Sequence, residues 1–329
     1  MGTTARVEGT EHRFDVAPGE TLLVAGLRAG LPLPYECASG TCGMCKARLR
    51  EGDVVDRFPE APALRARDRR KGRVLLCQCE ASTDVVVDVP LVEGLAPEPS
   101  PRDLRLEVEA LRRHGPRVVS VVARAETEVP FLPGQYVVVD VPDAGRRAYS
   151  MANLPGARLE WIVKAKPGGR ATDFFFERLE VGATLNAVGP LGRAYLRPGQ
   201  DRIHCVAGGS GLAPVLSIAR AALAEGRRVD LYYGARTAED LVYLDAIDAM
   251  AQAAQDRLRF MPCLSDPTSE DGWSGAVGNV GDVFFQDAQG LTEAPLYLAG
   301  PPAMVDAVLR EGVIERGISA DRIYFDRFF

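Results

Sequence analysis

Five of the seven cysteines fall between Cys37 and Cys79, and their spacing is the first feature of this chain able to do chemistry. Cys37-Ala-Ser-Gly-Thr-Cys42-Gly-Met-Cys45, with Cys77 after a further 31 residues, has the C-x4-C-x2-C…C pattern that holds a plant-type [2Fe–2S] cluster. Three ligands on one loop must wrap a small anionic object, so the backbone has to turn tightly, and Gly40 and Gly43 permit this. Loop N–H groups aimed at the sulfurs would stabilise the charge and tune the potential. A zinc knuckle is the competing reading, but zinc favours two C-x2–4-C pairs. Cys77 and Cys79 compete for the fourth position, and Cys77 is preferred. The N-terminus MGTTARVEGTEHRF has no apolar stretch of a secretory signal, so the cysteines read as a metal site rather than a disulfide framework.

A second set of residues suits a bound flavin. In Arg147-Ala-Tyr149-Ser150 the arginine fork can grip a phosphate. Tyr149 shares its strand face and can cover a flat ring, and Ser150 can donate near the ring nitrogen that receives hydride. Lys164 precedes Pro167-Gly168-Gly169-Arg170-Ala171-Thr172, which opens an expected helix at 173–179 and offers free N–H groups to a pyrophosphate. R-x-Y-S alone would be an ordinary strand; the second motif gives it weight.

A third set suits a nicotinamide dinucleotide. Gly208-Gly209-Ser210-Gly211 follows an expected strand at 203–207 and begins a helix, and Gly300-Pro301-Pro302 ends another strand at 296–299. Both would lie at the carboxyl ends of parallel strands, where such sheets bind ligands, whereas a single glycine cluster is as often only a tight turn. After the strand at 229–233 comes Gly234-Ala-Arg236-Thr-Ala-Glu239-Asp240. An acid there favours the ribose 2′-OH of NADH and an arginine welcomes the 2′-phosphate of NADPH. With one cation against two acids, NADH is the expected donor and NADPH remains possible; Arg236 can also stack on adenine or pair with an acid.

The elements that must position these groups divide the chain in three. Residues 1–93 read as a small β-rich unit, with a hairpin near 6–16, a helix over 21–29 stopping at Gly30, and strands at 46–50 and 85–89. Glu93-Gly-Leu-Ala-Pro-Glu-Pro-Ser-Pro101 is rich in proline, and 94–101 reads as a linker. Residues 102–199 show strands at 104–110, 118–125, 136–141 and 159–165, as in a barrel or sandwich. From 200 to 329 strands and helices alternate, including a helix expected at 239–253, which implies a doubly wound parallel sheet. Composition sets limits. A net charge of -6 argues against a general nucleic-acid binder, and no apolar run reaches the roughly 18 residues of a membrane span. A cytoplasmic protein is expected. The run Arg65–Arg73 stands out as basic; it reads either as a docking rim for an acidic partner or as a solvated surface segment.

With these residues in hand, the chain resembles the flavin-dependent reductase components of bacterial aromatic and hydrocarbon oxygenases. These belong to the ferredoxin–NADP reductase superfamily, with a ferredoxin domain fused at the N-terminus. The resemblance rests on Pro34-Tyr-Glu-Cys37, Ala148-Tyr-Ser-Met-Ala152, Gly189-Pro-Leu-Gly-Arg-Ala-Tyr-Leu196, Gly208–Ile218 and Phe325-Asp-Arg-Phe-Phe329, and covers essentially the whole chain. It implies a β-grasp [2Fe–2S] ferredoxin, an antiparallel β-barrel FAD domain and an α/β doubly wound NAD domain. It further implies FAD contacts from Arg147, Tyr149 and Ser150, with Lys164 and Gly169–Thr172 around the pyrophosphate. Gly208–Gly211 and Gly300–Pro302 would border the nicotinamide cofactor. Asp326 would stand near the reactive edge of the flavin, and Phe328 would cover its face, although core packing is the plainer role for such an aromatic. Many relatives carry Cys-Gly-Pro-Pro where this chain has Ala299; the loss is expected to slow hydride transfer without abolishing it. The implied activity takes hydride from NAD(P)H onto FAD and passes electrons singly through the cluster to an oxygenase component or a Rieske-type ferredoxin. A flavin or ferric reductase using free acceptors, and a cluster-binding redox sensor, are the other readings.

Overall fold

The alternating residues near the start form the expected hairpin, Thr3–Val7 (β1) and Arg13–Val16 (β2), with Thr3 opposite Val16. The structure is a computed structural model and describes residues 2–267 and 272–329. Further strands are Lys46–Glu51 (β3), Val54–Asp56 (β4), Arg73–Leu75 (β5), Cys79–Ala81 (β6) and Val85–Asp88 (β7). They build a five-stranded sheet in the order β2-β1-β7-β3-β5, in which β1 and β7 are parallel, and a side pair β4-β6. The helix Leu22–Arg28 (α1) is capped by the Thr21 hydroxyl, which accepts from the Val24 N–H at 3.4 Å. Its Leu22, Leu23 and Leu27 are fully buried. A single helix under a mixed sheet is the β-grasp arrangement. A short helix, Ala66–Arg70 (α2), lies between the cysteine loop and Cys77.

Two compact units divide the described chain. The first holds residues up to Leu104 with Val137–Ala148 and Asn186–Leu191; the second holds Arg105–Tyr136, Tyr149–Leu185 and Gly192–Phe329. Arg102–His114 (β8), Val118–Val129 (β9), Tyr136–Val141 (β10), Gly145–Ser150 (β11), Gly156–Lys164 (β12) and Thr184–Leu191 (β13) are the strands of the barrel half. Its sheet has two runs, β11-β10-β13 and the antiparallel β8-β9-β12. The helix expected at 173–179 begins earlier, as a turn of α-helix at Arg170–Asp173 (α3), and widens into a π-helical turn over Phe174–Arg178 that buries Phe174 and Phe175.

The remaining strands are Arg202–Gly208 (β14), Arg228–Ala235 (β15), Leu258–Leu264 (β16), Ala276–Val277 (β17), Leu296–Gly300 (β18) and Ile323–Arg327 (β19). They form one parallel sheet in the order β17-β16-β15-β14-β18-β19. Helices Leu212–Ala224 (α4) and Leu244–Ala254 (α5) share one core with the sheet; Val280–Asp287 (α6) and Pro302–Arg310 (α7) share the other. Near-continuous apolar strands follow from burial on both faces. Cys205 and Cys263 sit inside these two cores with no exposure, and burial pushes the Cys263 thiol up to about 11. The helix expected from 239 starts only at Leu244, because Ala238–Asp240 form a 3-10 turn and Tyr243 is left-handed, with φ 64°.

Candidate functional site

The cysteine loop enters the positive-φ region at Ala38, Gly40 and Gly43, so it curls with its N–H groups inward. The Ser39 and Cys42 N–H groups donate to Cys37 Sγ at 3.5 and 3.3 Å, Met44 N–H to Cys42 Sγ at 3.4 Å, and Gln78 Nε2 to Cys77 Sγ at 3.4 Å. The thiols fall into two pairs. The Cys42 thiol holds Cys37 down to about 4, against the opposing effect of burial, and Cys42 is pushed up in return. Cys77 is pushed up first by its hydrogen bond with Cys45 and then by burial. Among the described residues no group of three or more His, Cys, Asp or Glu closes around a single ion. Two thiol pairs with sulfur-directed N–H groups fit a two-iron cluster, which needs two ligands per iron. Cys79 stands apart on β6, opposite Asp56, with its thiol pushed up to about 12 by burial first and Asp56 second.

The flavin candidates lie at the end of β11 and in the 165–172 turn. Tyr149 meets Phe175 edge-on at 4.9 Å and Trp161 at 6.1 Å. Trp161 is 0% exposed, and its indole N–H has no partner among the described residues. An orphaned buried donor beside Tyr149 fits a polar group supplied by a bound molecule. Ser150 is buried. The segment after it is tied to α4, where Ser217 Oγ donates to the Asn153 carbonyl at 2.7 Å and Arg220 to the Ala152 carbonyl at 2.6 Å. The motifs gave no hint of this tie. The Thr172 hydroxyl donates to the Gly169 carbonyl at 2.8 Å, and a Cβ on Gly169 would come within 2.9 Å of the Lys166 carbonyl. Arg147 donates to the Arg146 carbonyl at 2.8 Å and stands 5.7 Å over the Phe58 ring.

At the carboxyl ends of β14, β15 and β18 the chain encloses a cavity of about 600 Å³, lined by Gly208, Gly209, Ser210, Arg236, Pro301, Met304 and Phe328 among others. It brings together most of the dinucleotide candidates. Gly211, Gly300 and Pro302 stand behind its wall. A Cβ on Gly211 would lie 2.1 Å from the Ala299 carbonyl oxygen, so only glycine lets α4 start this close to β18. The Phe328 N–H donates to the Gly300 carbonyl at 2.8 Å. Asp326 is buried on β19 opposite Ala299.

Lys164, expected beside the flavin pyrophosphate, also lines this cavity; a Cβ on Gly209 would lie 3.9 Å from its Nζ. The ammonium is held there by Asp240 at 3.1 Å, which also takes Arg117 at 3.2 Å. The Asp240 side chain is only 1% exposed. Of the two acids expected to favour NADH, Glu239 and Asp240, the second is turned away from solvent: the 3-10 turn at 238–240 points its carboxylate inward to two cations. Arg236 remains at the cavity, paired with Asp266 at 3.3 Å, with its side chain 70% exposed.

A chain with a two-pair thiol loop, a flavin-type barrel half and a dinucleotide cavity on a parallel sheet is built as a three-centre oxidoreductase. Family models agree: "2Fe-2S iron-sulfur cluster binding domain" matches residues 5–82, "Oxidoreductase FAD-binding domain" 116–195 and "Oxidoreductase NAD-binding domain" 205–310. The chain is 43% identical, over 96% of its length and 97% of the relative, to the ferredoxin–NAD(+) reductase component of an alkene monooxygenase system from Xanthobacter autotrophicus. It is 34% identical, over 97% and 98%, to a reductase component of naphthalene 1,2-dioxygenase/salicylate 5-hydroxylase systems from a Ralstonia species. A solved ferredoxin reductase in carbazole 1,9a-dioxygenase superposes with TM-score 0.91 at 35% identity, covering 100% of this chain and 99% of that one. This chain belongs to the ferredoxin–NAD(P)+ reductase components of multicomponent oxygenase systems, oxidoreductases with FAD, NAD and [2Fe–2S] domains.

Proposed function

We propose that this reductase draws on NADH and delivers electrons singly to a protein acceptor, an oxygenase component or a Rieske-type ferredoxin. When bound, FAD supplies a two-electron acceptor able to release electrons one at a time, and [2Fe–2S] supplies a one-electron carrier. The observation that carries the reading is the pairing of Cys37 with Cys42 and Cys45 with Cys77 in a chain that also encloses a dinucleotide cavity. In this reading the two pairs hold the cluster. Tyr149 and Ser150 border the flavin ring, and Arg147 and Gly169–Thr172 hold its phosphates. Lys164 and Gly208–Ser210 take the pyrophosphate of the nicotinamide cofactor, and Phe328 occupies the nicotinamide position until substrate enters. Asp326 is a buried acid near the reacting atoms.

The nucleotide preference follows from charge. Arg236 already has Asp266 as a partner, and an exposed pair of this kind contributes little. A single exposed arginine therefore makes a weak 2′-phosphate site. The test is kcat/KM for NADH and NADPH in the wild type and in Arg236→Ala, with NADH expected to lead in both. A wild-type preference for NADPH of about tenfold, worth about 1.4 kcal/mol, that collapses in the variant would overturn the NADH assignment. The one-electron role is tested by adding NADH anaerobically to the loaded protein. Flavin bleaching that is never followed by loss of the cluster absorbance would refute it.

A further inference from the structure

Resting on the reading of this chain as an electron-delivering reductase, we propose that the exposed cations of residues 65–71 form, with Met44, the docking face for an acidic redox protein. Residues 65–73 hold six cations and one carboxylate in a chain whose net charge is -6. The lone carboxylate does not dilute the face. Asp68 is buried, and it binds Lys46 at 2.9 Å and Arg73 at 3.0 Å. Arg69 is likewise committed, to Asp56 at 3.0 Å and to the Pro59 carbonyl. Arg65, Arg67, Arg70 and Lys71 are exposed and have no ion pair among the described residues.

The placement of these four cations decides what they serve. Lys46 follows Cys45 directly, so the Lys46–Asp68 pair fastens α2 beside the cysteine loop. The preceding loop covers one side of that loop: the Ala63 N–H donates to the Gly40 carbonyl at 3.4 Å, and a Cβ on Gly43 would touch Ala63 at 3.4 Å. The tip of the cysteine loop stays open, with Met44 51% exposed. A small apolar contact beside the electron exit, flanked by uncompensated cations, steers a negatively charged protein and sets its approach. An anionic membrane is the other anion that such cations attract, at about 1 kcal/mol per cation near the surface. One methionine is a poor anchor for it, and the acidic remainder of the chain opposes it.

The test uses the loaded full chain and two haem acceptors of opposite charge, acidic cytochrome b5 and basic cytochrome c. The face variant is R67E/R70E/K71E. R13E/R105E/R228E makes the same change of net charge at exposed positions elsewhere. For the wild type, reduction of cytochrome b5 is expected to slow at least fivefold as salt rises from low to about 0.5 M, while reduction of cytochrome c does not slow. The face variant should lose most of the low-salt rate and weaken the Kd for oxidised cytochrome b5 at least tenfold in calorimetry; the control triple should keep both. NADH bleaching of the flavin should be equal in all three. Equal losses in the two triples, or an unchanged Kd in the face variant, would overturn the docking face. So would sedimentation of the wild type with phosphatidylglycerol vesicles that only the face variant loses, with the Kd for cytochrome b5 unaffected. Failure of NADH to bleach the flavin would instead refute the parent reading, and the calorimetric arm is independent of turnover.

Discussion

Asp240 illustrates how one residue's surroundings revise what its type suggests. A carboxylate in the loop after the second strand of a dinucleotide sheet suggests a ribose contact, but this one is buried between Lys164 and Arg117. Its partners are part-exposed, at 29% and 42%, so water discounts the loss when it is removed. Asp240→Asn is expected to cost about 1–3 kcal/mol in urea unfolding. It should also release Lys164 from the cavity wall and weaken ADP-ribose binding several-fold, with Asp240→Glu recovering part of the affinity. Unchanged ADP-ribose binding in the asparagine variant would show that Lys164 holds its position without Asp240. The sequence contained both charges, but it could not say that the turn at 238–240 directs one of them inward.

At the scale of elements, two contacts set how firmly the candidate site is held. The first is Gly211, where α4 starts against β18. An added methyl would overlap the Ala299 carbonyl, so Gly211→Ala must push the helix away, at about 1–3 kcal/mol or more. A fall in Tm with loss of ADP-ribose binding is expected, and a variant of wild-type Tm would contradict this close approach. The second is α2. Lys46 first, and then Arg73, hold the Asp68 carboxyl down at about 2, against the opposing effect of burial. The folded pKa lies below the ordinary carboxylate value, so the stabilisation is complete above about pH 4. It is lost as pH falls through about 2. Asp68→Asn removes it at every pH, and trypsin at pH 7 should cut the 65–71 segment faster in that variant. The strongly periodic elements were legible: the first hairpin, α1 with its stop at Gly30, and the strand–glycine–helix at 203–224. Others were not. Cys79–Ala81 is too short to show alternation, Val280–Asp287 follows a loop with few cues, and the left-handed Tyr243 depends on tertiary contacts, its ring stacked on His114 at 5.0 Å and its hydroxyl bonded to Glu160 at 2.5 Å.

Across the whole molecule, the three centres were legible because each needs a local motif: cysteine spacing, R-x-Y-S with a glycine turn, and glycines at strand ends. What ties the flavin and nucleotide segments together was not, since Ser217, Arg220, Arg117 and Asp240 act across long stretches of sequence. Locality also makes the centres separable. Cys42→Ser is expected to abolish the visible cluster bands while flavin content and NADH bleaching stay near wild type. Loss of bleaching together with the bands would contradict that order of electron flow.

The burial of Cys205 and Cys263 bears on how this protein withstands oxidants. Both thiols lie in the sheet with no exposure, and both are raised by burial. Among thiols, the thiolate is the form that oxidants and alkylating agents attack, so the nucleotide half offers them no ready thiol among its described residues. Iodoacetamide applied to the native protein at pH 7.5 should leave Cys205 and Cys263 unlabelled by mass spectrometry and ADP-ribose binding intact. Damage from peroxide should then show first as bleaching of the iron–sulfur bands, while the capacity to accept hydride persists. Rapid labelling of either thiol would show that the sheet opens on the timescale of the chemistry.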